Sequence, residues 1–223
     1  MRCSMTSMAA DRFVDRADAG RRLSTAVREV VDGEPTVVLG LPRGGVTVAA
    51  EVAAALSAPL DVLVVRKIGV PGHRELAMGA LAAGTVVRNV EVVHALGIDD
   101  PTFARVVEEE RAVARAREQS YRGVRAAVSL DGHTAVVVDD GLATGATARA
   151  AVQALRHREQ DRPARVVLAV PVAPRDSLAD LAALVDEVVC LLIPEPFYAV
   201  GQWYDHFNQV SDDDVRRLLQ QAH

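Results

Sequence analysis

A chain of 223 residues, 50% of them hydrophobic, is long enough to bury one α/β core. Its formal net charge of −5, without any block of Lys or Arg, argues against a nucleic-acid surface, and no apolar run reaches the length of a membrane span. Cys3 and Cys190 suggest neither a disulfide framework nor a zinc site, and the opening segment MRCSMTSMAADR lacks the apolar stretch of a signal peptide; we expect a cytoplasmic protein of one domain, residues 1–223.

In chain order, a helix is expected at 15–31 and a strand at 36–40, where the apolar run Thr36 to Leu39 ends in GLPRGGV at 40–46. Gly44 and Gly45 let backbone amides approach an anion closely. Arg43 adds a cationic donor, and the helix expected at 45–57 adds its N-terminal dipole. A strand at 60–65 leads into RKIGVPGHRELAMG at 66–79. Lys67 is the only lysine in a chain whose other 24 basic residues are arginine, so it is more apt to have a task than one lysine among many.

A strand is expected at 84–93, and then a charged helix from Asp99 to Tyr121 with Asp99 as its cap. The segment TAVVVDDGLATGAT at 134–147 is the most informative: a buried strand at 134–139 stops on Asp139 and Asp140, then turns through Gly141 and Gly145 into a helix at 147–159. Backbone amides of that turn, the helix N-terminus and the hydroxyls of Thr144 and Thr147 can converge on one phosphate, with the two carboxylates placed for the vicinal hydroxyls of a ribose. A strand at 165–170, a helix at 176–184, a strand at 187–192 and a capped helix at 211–221 complete the alternation. Between the last two, five of the chain's eight aromatic residues (Phe197, Tyr198, Trp203, Tyr204 and Phe207) crowd into eleven positions.

Neither G-x-x-x-x-G-K-[ST] nor G-x-G-x-x-G is present. DDGLATGAT instead resembles the phosphoribosyl pyrophosphate (PRPP) motif of type I phosphoribosyltransferases, in its adenine form. GLPRGGV resembles that family's pyrophosphate loop, and RKIGVPGHRELAMG the opening of the mobile catalytic loop of the adenine enzymes. VVCLLIPEPFYAVGQWYDHF, at 188–207, is similar to a stretch of the 6-oxopurine enzymes. Nearly the whole chain, including Tyr121 to Gly123, resembles bacterial phosphoribosyltransferases with no assigned acceptor.

The resemblance implies a three-layer, doubly wound, mostly parallel sheet of order 3-2-1-4-5-6 with strand 3 antiparallel, and a small hood from about 193–223 with the N-terminal helix. It implies PRPP binding by Asp139, Asp140, Gly141, Leu142, Ala143, Thr144, Gly145, Ala146 and Thr147, and pyrophosphate binding by Arg43, Gly44, Gly45, Arg66, Lys67 and Arg74. Catalysis would fall to Lys67, Arg43, Asp139 and Asp140, acceptor stacking to Phe197 and Tyr198, and Mg2+ to Asp205 and Asp139. The Pro42–Arg43 peptide is expected to be cis, and a homodimer is compatible with the family.

Departures bear on the acceptor. Ala143 stands where 6-oxopurine enzymes carry a proton-accepting acid, Glu75 does not align with the adenine enzymes' loop glutamate, and Val185 falls near the position of the lysine that reads a purine oxygen. Neither purine specificity is therefore supported. A non-catalytic PRPP-binding regulatory or sensor module would use the same residues.

Overall fold

A computed structural model describes residues 12–222, without the side chains of Arg74 and Glu75. Five parallel strands form the central sheet: β1 (Thr36–Gly40), β2 (Leu60–Val62), β6 (Thr134–Val138), β7 (Arg165–Val172) and β8 (Glu187–Leu192). Their order is β2-β1-β6-β7-β8. Alternate residues of these valine-rich strands serve opposite faces, as the two-residue period of a strand requires. Val38, Val136, Val138, Val167 and Ala169 pack under α1 (Arg16–Val31) and α2 (Gly44–Leu56). Val37, Leu39, Ala135, Val137, Leu168 and Val170 pack under α5 (Ala146–Arg156) and α6 (Arg175–Ala182). The three-layer doubly wound architecture is as expected.

Two segments depart from the sequence reading. Residues 66–79, expected as a mobile loop, lie in the antiparallel pair β3 (Val65–Val70) and β4 (His73–Ala82), which with β5 (Thr85–Arg88) makes a separate three-stranded sheet. The antiparallel strand expected beyond β2 belongs to this second sheet. The pairing is favoured by tight turns: Gly72 has φ of 80°, and Ala83 and Gly84, at 49° and 77°, both take the left-handed conformation that suits a two-residue hairpin. The strand expected at 84–93 stops at Arg88 because Asn89 caps a new helix, α3 (Val90–Ala95), its side chain accepting from Val92 N at 3.2 Å. Ile68, Val70, Met78 and Leu81 of this sheet bury against Val93 of α3 and Phe103, Val106 and Val107 of α4 (Asp100–Arg122).

The start of the described chain pairs with residues 203–206 beside the sheet. Phe13 N donates to Trp203 O at 2.7 Å and Asp205 N to Phe13 O at 2.8 Å, so the segment before α1 pairs with the segment after a short 3-10 turn, Val200–Trp203. Phe13, Tyr204, Val200, Trp203 and Phe197 form one apolar cluster there. The last helix, α7 (Asp212–Gln221), starts in a capping box between Ser211 and Asp214 and packs through Val215 and Leu219 on the α1–α2 side.

Candidate active site

The direction of growth of the sheet reverses between β1 and β6: the helix after β1 covers one face, the helix after β6 the other. Loops at the C-terminal ends of two such strands splay apart and leave a crevice. Here they touch. A Cβ on Gly45 would lie 2.7 Å from Val138 O and 2.9 Å from Asp139 Oδ1, and one on Gly44 would lie 1.9 Å from Asp140 Oδ2. Only glycine lets the start of α2 rest on the acidic pair. The Pro42–Arg43 peptide at this start is cis, as expected from sequence.

Helix ends sharpen the picture. Helices α1, α3, α4 and α7 have their first amides capped by the side chains of Asp15, Asn89, Asp99 and Ser211. α2, α5 and α6 have no side-chain cap, and of these α2 and α5 start at the glycine turns. In α2 Val46 N turns back to Arg43 O at 3.2 Å, and in α5 Ala146 N reaches Thr144 Oγ1 at 3.4 Å, which leaves the amides of Gly44 and Gly45 as the ones suited to an anion. Gly145 at the start of α5 takes φ of 70°, the left-handed conformation that turns strand into helix, while Ala143, Thr144, Ala146 and Thr147 around it are exposed. Ala143 O accepts from Ser177 Oγ at 2.7 Å and Leu142 N donates to Val172 O at 2.9 Å, which hold the loop to its neighbours.

The two carboxylates are not equivalent. Asp139 is held well above the ordinary carboxylate range, first by burial and then by the neighbouring charge of Asp140, against the opposing effects of the Asp140 amide and Arg16. Asp140 is balanced by Arg16, whose Nε donates to Oδ2 at 2.7 Å. Arg16 also donates to Asn208 O at 2.7 Å, and its guanidinium carbon lies 3.8 Å from the centre of the Phe207 ring. Tyr204 Oη donates to the backbone oxygen of Asp140 at 2.5 Å. Arg16, Tyr204, Phe207 and Asn208 were missed from sequence as partners of the acids. Arg16 and Asp140 are 124 positions apart, and one arginine among many carries no local signal for such a contact.

Other expected residues lie elsewhere in the fold. Arg43 approaches Asp212 of α7 at 4.0 Å. Arg66 is committed to Glu110 of α4, with Nε and Nη2 each 2.8 Å from the same oxygen. Lys67 is exposed on β3 and, with Arg66, Arg105, Glu109 and Glu110, lines a groove of about 400 Å³ between the hairpin and α4. Arg74 is in β4, and its side chain lies outside the described residues. Phe197 is half-buried in the apolar cluster and Tyr198 is exposed. Asp205 lies 3.6 Å from Arg12, both about half exposed.

Among the described residues no three His, Cys, Asp or Glu side chains gather as a metal cage. Magnesium is usually held by one or two carboxylates together with water and substrate phosphates. The hard oxygens of Asp139, beside two uncapped helix ends, fit that mode of binding.

A three-layer doubly wound sheet, with glycine turns and an acidic pair where its direction of growth reverses, defines the class of fold. The chain belongs to the phosphoribosyl transferase family: residues 14–203 match the Phosphoribosyl transferase domain. It is 49% identical over 212 residues to "Putative phosphoribosyl transferase MT0597" and to "Putative phosphoribosyl transferase Rv0571c", both of Mycobacterium tuberculosis, covering 95% of this chain and 47% of each relative. The chain thus spans about half the length of the curated relatives it matches. TT1426 from Thermus thermophilus is similar in structure, with a TM-score of 0.82 and 42% identity across 94% of this chain and 98% of that one. Among the described residues no helix is long and apolar enough to cross a membrane.

Proposed function

We propose that this chain transfers the 5-phosphoribosyl group of PRPP to a nitrogen acceptor, a nucleobase or similar heterocycle, and releases pyrophosphate. The observation that carries the reading is the contact of Gly44 and Gly45 with Asp140 and Asp139, which joins the uncapped start of α2 to the acidic pair. In this reading Gly141 to Thr147 hold the 5-phosphate, Asp139 and Asp140 the ribose hydroxyls, and Arg43 with the amides of Gly44 and Gly45 the pyrophosphate. Lys67 would reach the leaving group from the hairpin.

The C1–O bond to pyrophosphate breaks as the C1–N bond forms, and the acceptor's N–H proton leaves to pyrophosphate or water. Positive charge developing on the ribose is favoured by the carboxylates below it, and negative charge on the leaving group by loop amides and cations. Magnesium, when bound, would neutralise the diphosphate, with Asp139 as its protein ligand and Asp205 as a second candidate. The paired segments around Phe13 and Tyr204 would act as a hood over the single domain, with Phe197 and Tyr198 offering aromatic faces to the acceptor.

Calorimetry of PRPP with magnesium tests the binding site. Asp139→Asn with Asp140→Asn removes charged hydrogen bonds, each typically about 1.5–3 kcal/mol, and unchanged affinity in that variant would remove these acids from the ribose site. A screen of nucleobases and small heterocycles, reading pyrophosphate release, tests turnover. The second reading, a PRPP-binding sensor, is permitted by Ala143, an exposed apolar residue at the position of the 6-oxopurine enzymes' acid, and by Val185 near the position of their lysine; it predicts PRPP binding with no release of pyrophosphate for any acceptor.

A further inference from the structure

Arg16 stands at the meeting point of three elements. Its Nε lies 2.7 Å from Asp140 Oδ2 and would lie 2.9 Å from a Cβ on Gly44, the first residue of the uncapped helix α2. Only 11% of its side chain is exposed. The guanidinium has five N–H donors, of which one is used by Asp140 and one by Asn208 O. The remaining three have no partner among the described residues. Stacking on Phe207 at 3.8 Å and the bond to Asn208 fix the plane of this group, so its open donors keep one orientation while Nε lies beside the Gly44 turn.

A planar fork of donors beside unsatisfied helix amides suits a diphosphate, because guanidinium can engage two phosphate oxygens at once while the amides take others. Asp140 neutralises one unit of positive charge, yet the uncapped start of α2 remains beside it. We propose that Arg16 is a diphosphate-binding residue of this site, carried in by the N-terminal helix and aimed by Asp140, Asn208 and Phe207. The proposal rests on the reading of the site as one for PRPP and adds a residue that the motifs at 40–46 and 66–79 do not contain.

The two readings separate in one set of titrations of the full chain with three probes in magnesium: PRPP, inorganic pyrophosphate and ribose 5-phosphate. Arg16→Gln is expected to weaken pyrophosphate and PRPP roughly ten- to hundredfold and ribose 5-phosphate by a smaller factor, through the lost restraint on Asp140. Arg16→Lys should recover part of the loss, because it returns the charge without the planar fork. Phe207→Leu keeps the charge and removes the platform, so it should weaken pyrophosphate by a smaller factor. Equal weakening of all three probes, or unchanged pyrophosphate affinity in Arg16→Gln, would overturn the assignment while leaving PRPP binding intact. Binding of none of the probes to the unaltered chain would overturn both readings.

Discussion

Tyr204 donates its phenolic hydrogen to the backbone oxygen of Asp140 at 2.5 Å, so the segment after the 3-10 turn is fastened to the acidic pair itself. Burial, and then the negative charge of Asp140, push the Tyr204 phenol far above its ordinary value of 10.0, which keeps it a donor throughout the working range of pH. Tyr204→Phe should cost about 0.5–1.5 kcal/mol of stability for the lost bond. It should also weaken PRPP binding, because Asp140 loses one restraint. Urea denaturation and PRPP calorimetry on the same variant read the two effects separately.

Gly45 is expected to tolerate no side chain. A methyl group would meet Val138 O at 2.7 Å and Asp139 Cα at 2.8 Å, both fixed by the central strand. Overpacking of this kind costs about 1–3 kcal/mol, and here it should push α2 away from the acids. Gly45→Ala should therefore lower both the denaturation midpoint and PRPP affinity. A variant that keeps full affinity would show that the α2 turn is not part of the site.

Asp139 gives the unliganded protein a pH dependence of defined sign. Its folded-state value is raised above the ordinary 3.8, so in the window between the two the folded chain binds more protons than the unfolded one. Stability from this group is present at low pH and lost as pH rises through the raised value. Asp139→Asn should flatten that part of the stability curve and raise the melting temperature at neutral pH, while abolishing tight PRPP binding. Melting temperatures from pH 4 upward, with and without the substitution, check it; no difference in slope would remove the burial argument.

Asp61 and Arg122 predict a purely structural effect. Arg122 Nε donates to Asp61 Oδ1 at 2.7 Å and Nη2 to Val62 O at 2.9 Å, while Asp61 Oδ2 accepts from Val128 N at 3.0 Å. Side-chain exposures of 17% and 6% leave little water to replace a lost partner. Asp61→Ala leaves Arg122 with Glu118 at 3.2 Å as its remaining carboxylate and strands the Val128 amide, so it should cost about 1–3 kcal/mol in chemical denaturation. Ligand affinity of the remaining folded fraction should be unchanged.

Arg66 and Lys67 are adjacent in sequence and differ in prospect. Arg66→Ala breaks the contact with Glu110 and should loosen the hairpin against α4 by about 1 kcal/mol or less, since the pair is partly exposed at 31% and 23%. Lys67→Ala should lower turnover more than PRPP affinity, because a contact to the leaving group strengthens as the bond breaks. Single-turnover rates with an acceptor from the screen decide between that role and a surface charge.

Chain pattern alone determined the elements whose signals are local. The valine run 134–138 reads as a buried strand because both its faces are apolar, and Asp99 and Ser211 announce their helices because a cap is a contact across three residues. DDGLATGAT and GLPRGGV were legible as glycine turns from strand into helix for the same reason. Residues 66–79 and 84–93 were misread where three left-handed turn residues, Gly72, Ala83 and Gly84, and an asparagine cap outweighed the apolar pattern.

Tertiary structure decided which side chains surround the acids. Arg16, Tyr204 and Asn208 reach Asp140 across 124, 64 and, through Arg16, 192 positions of chain, and Gly44 matters because of what presses on it. Such contacts are products of long-range packing, in which a residue type that is unremarkable along the chain becomes the partner of a buried charge. The need to compensate that charge in a poorly solvated crevice makes the partnership consequential, and that need arises only once β1 and β6 lie side by side.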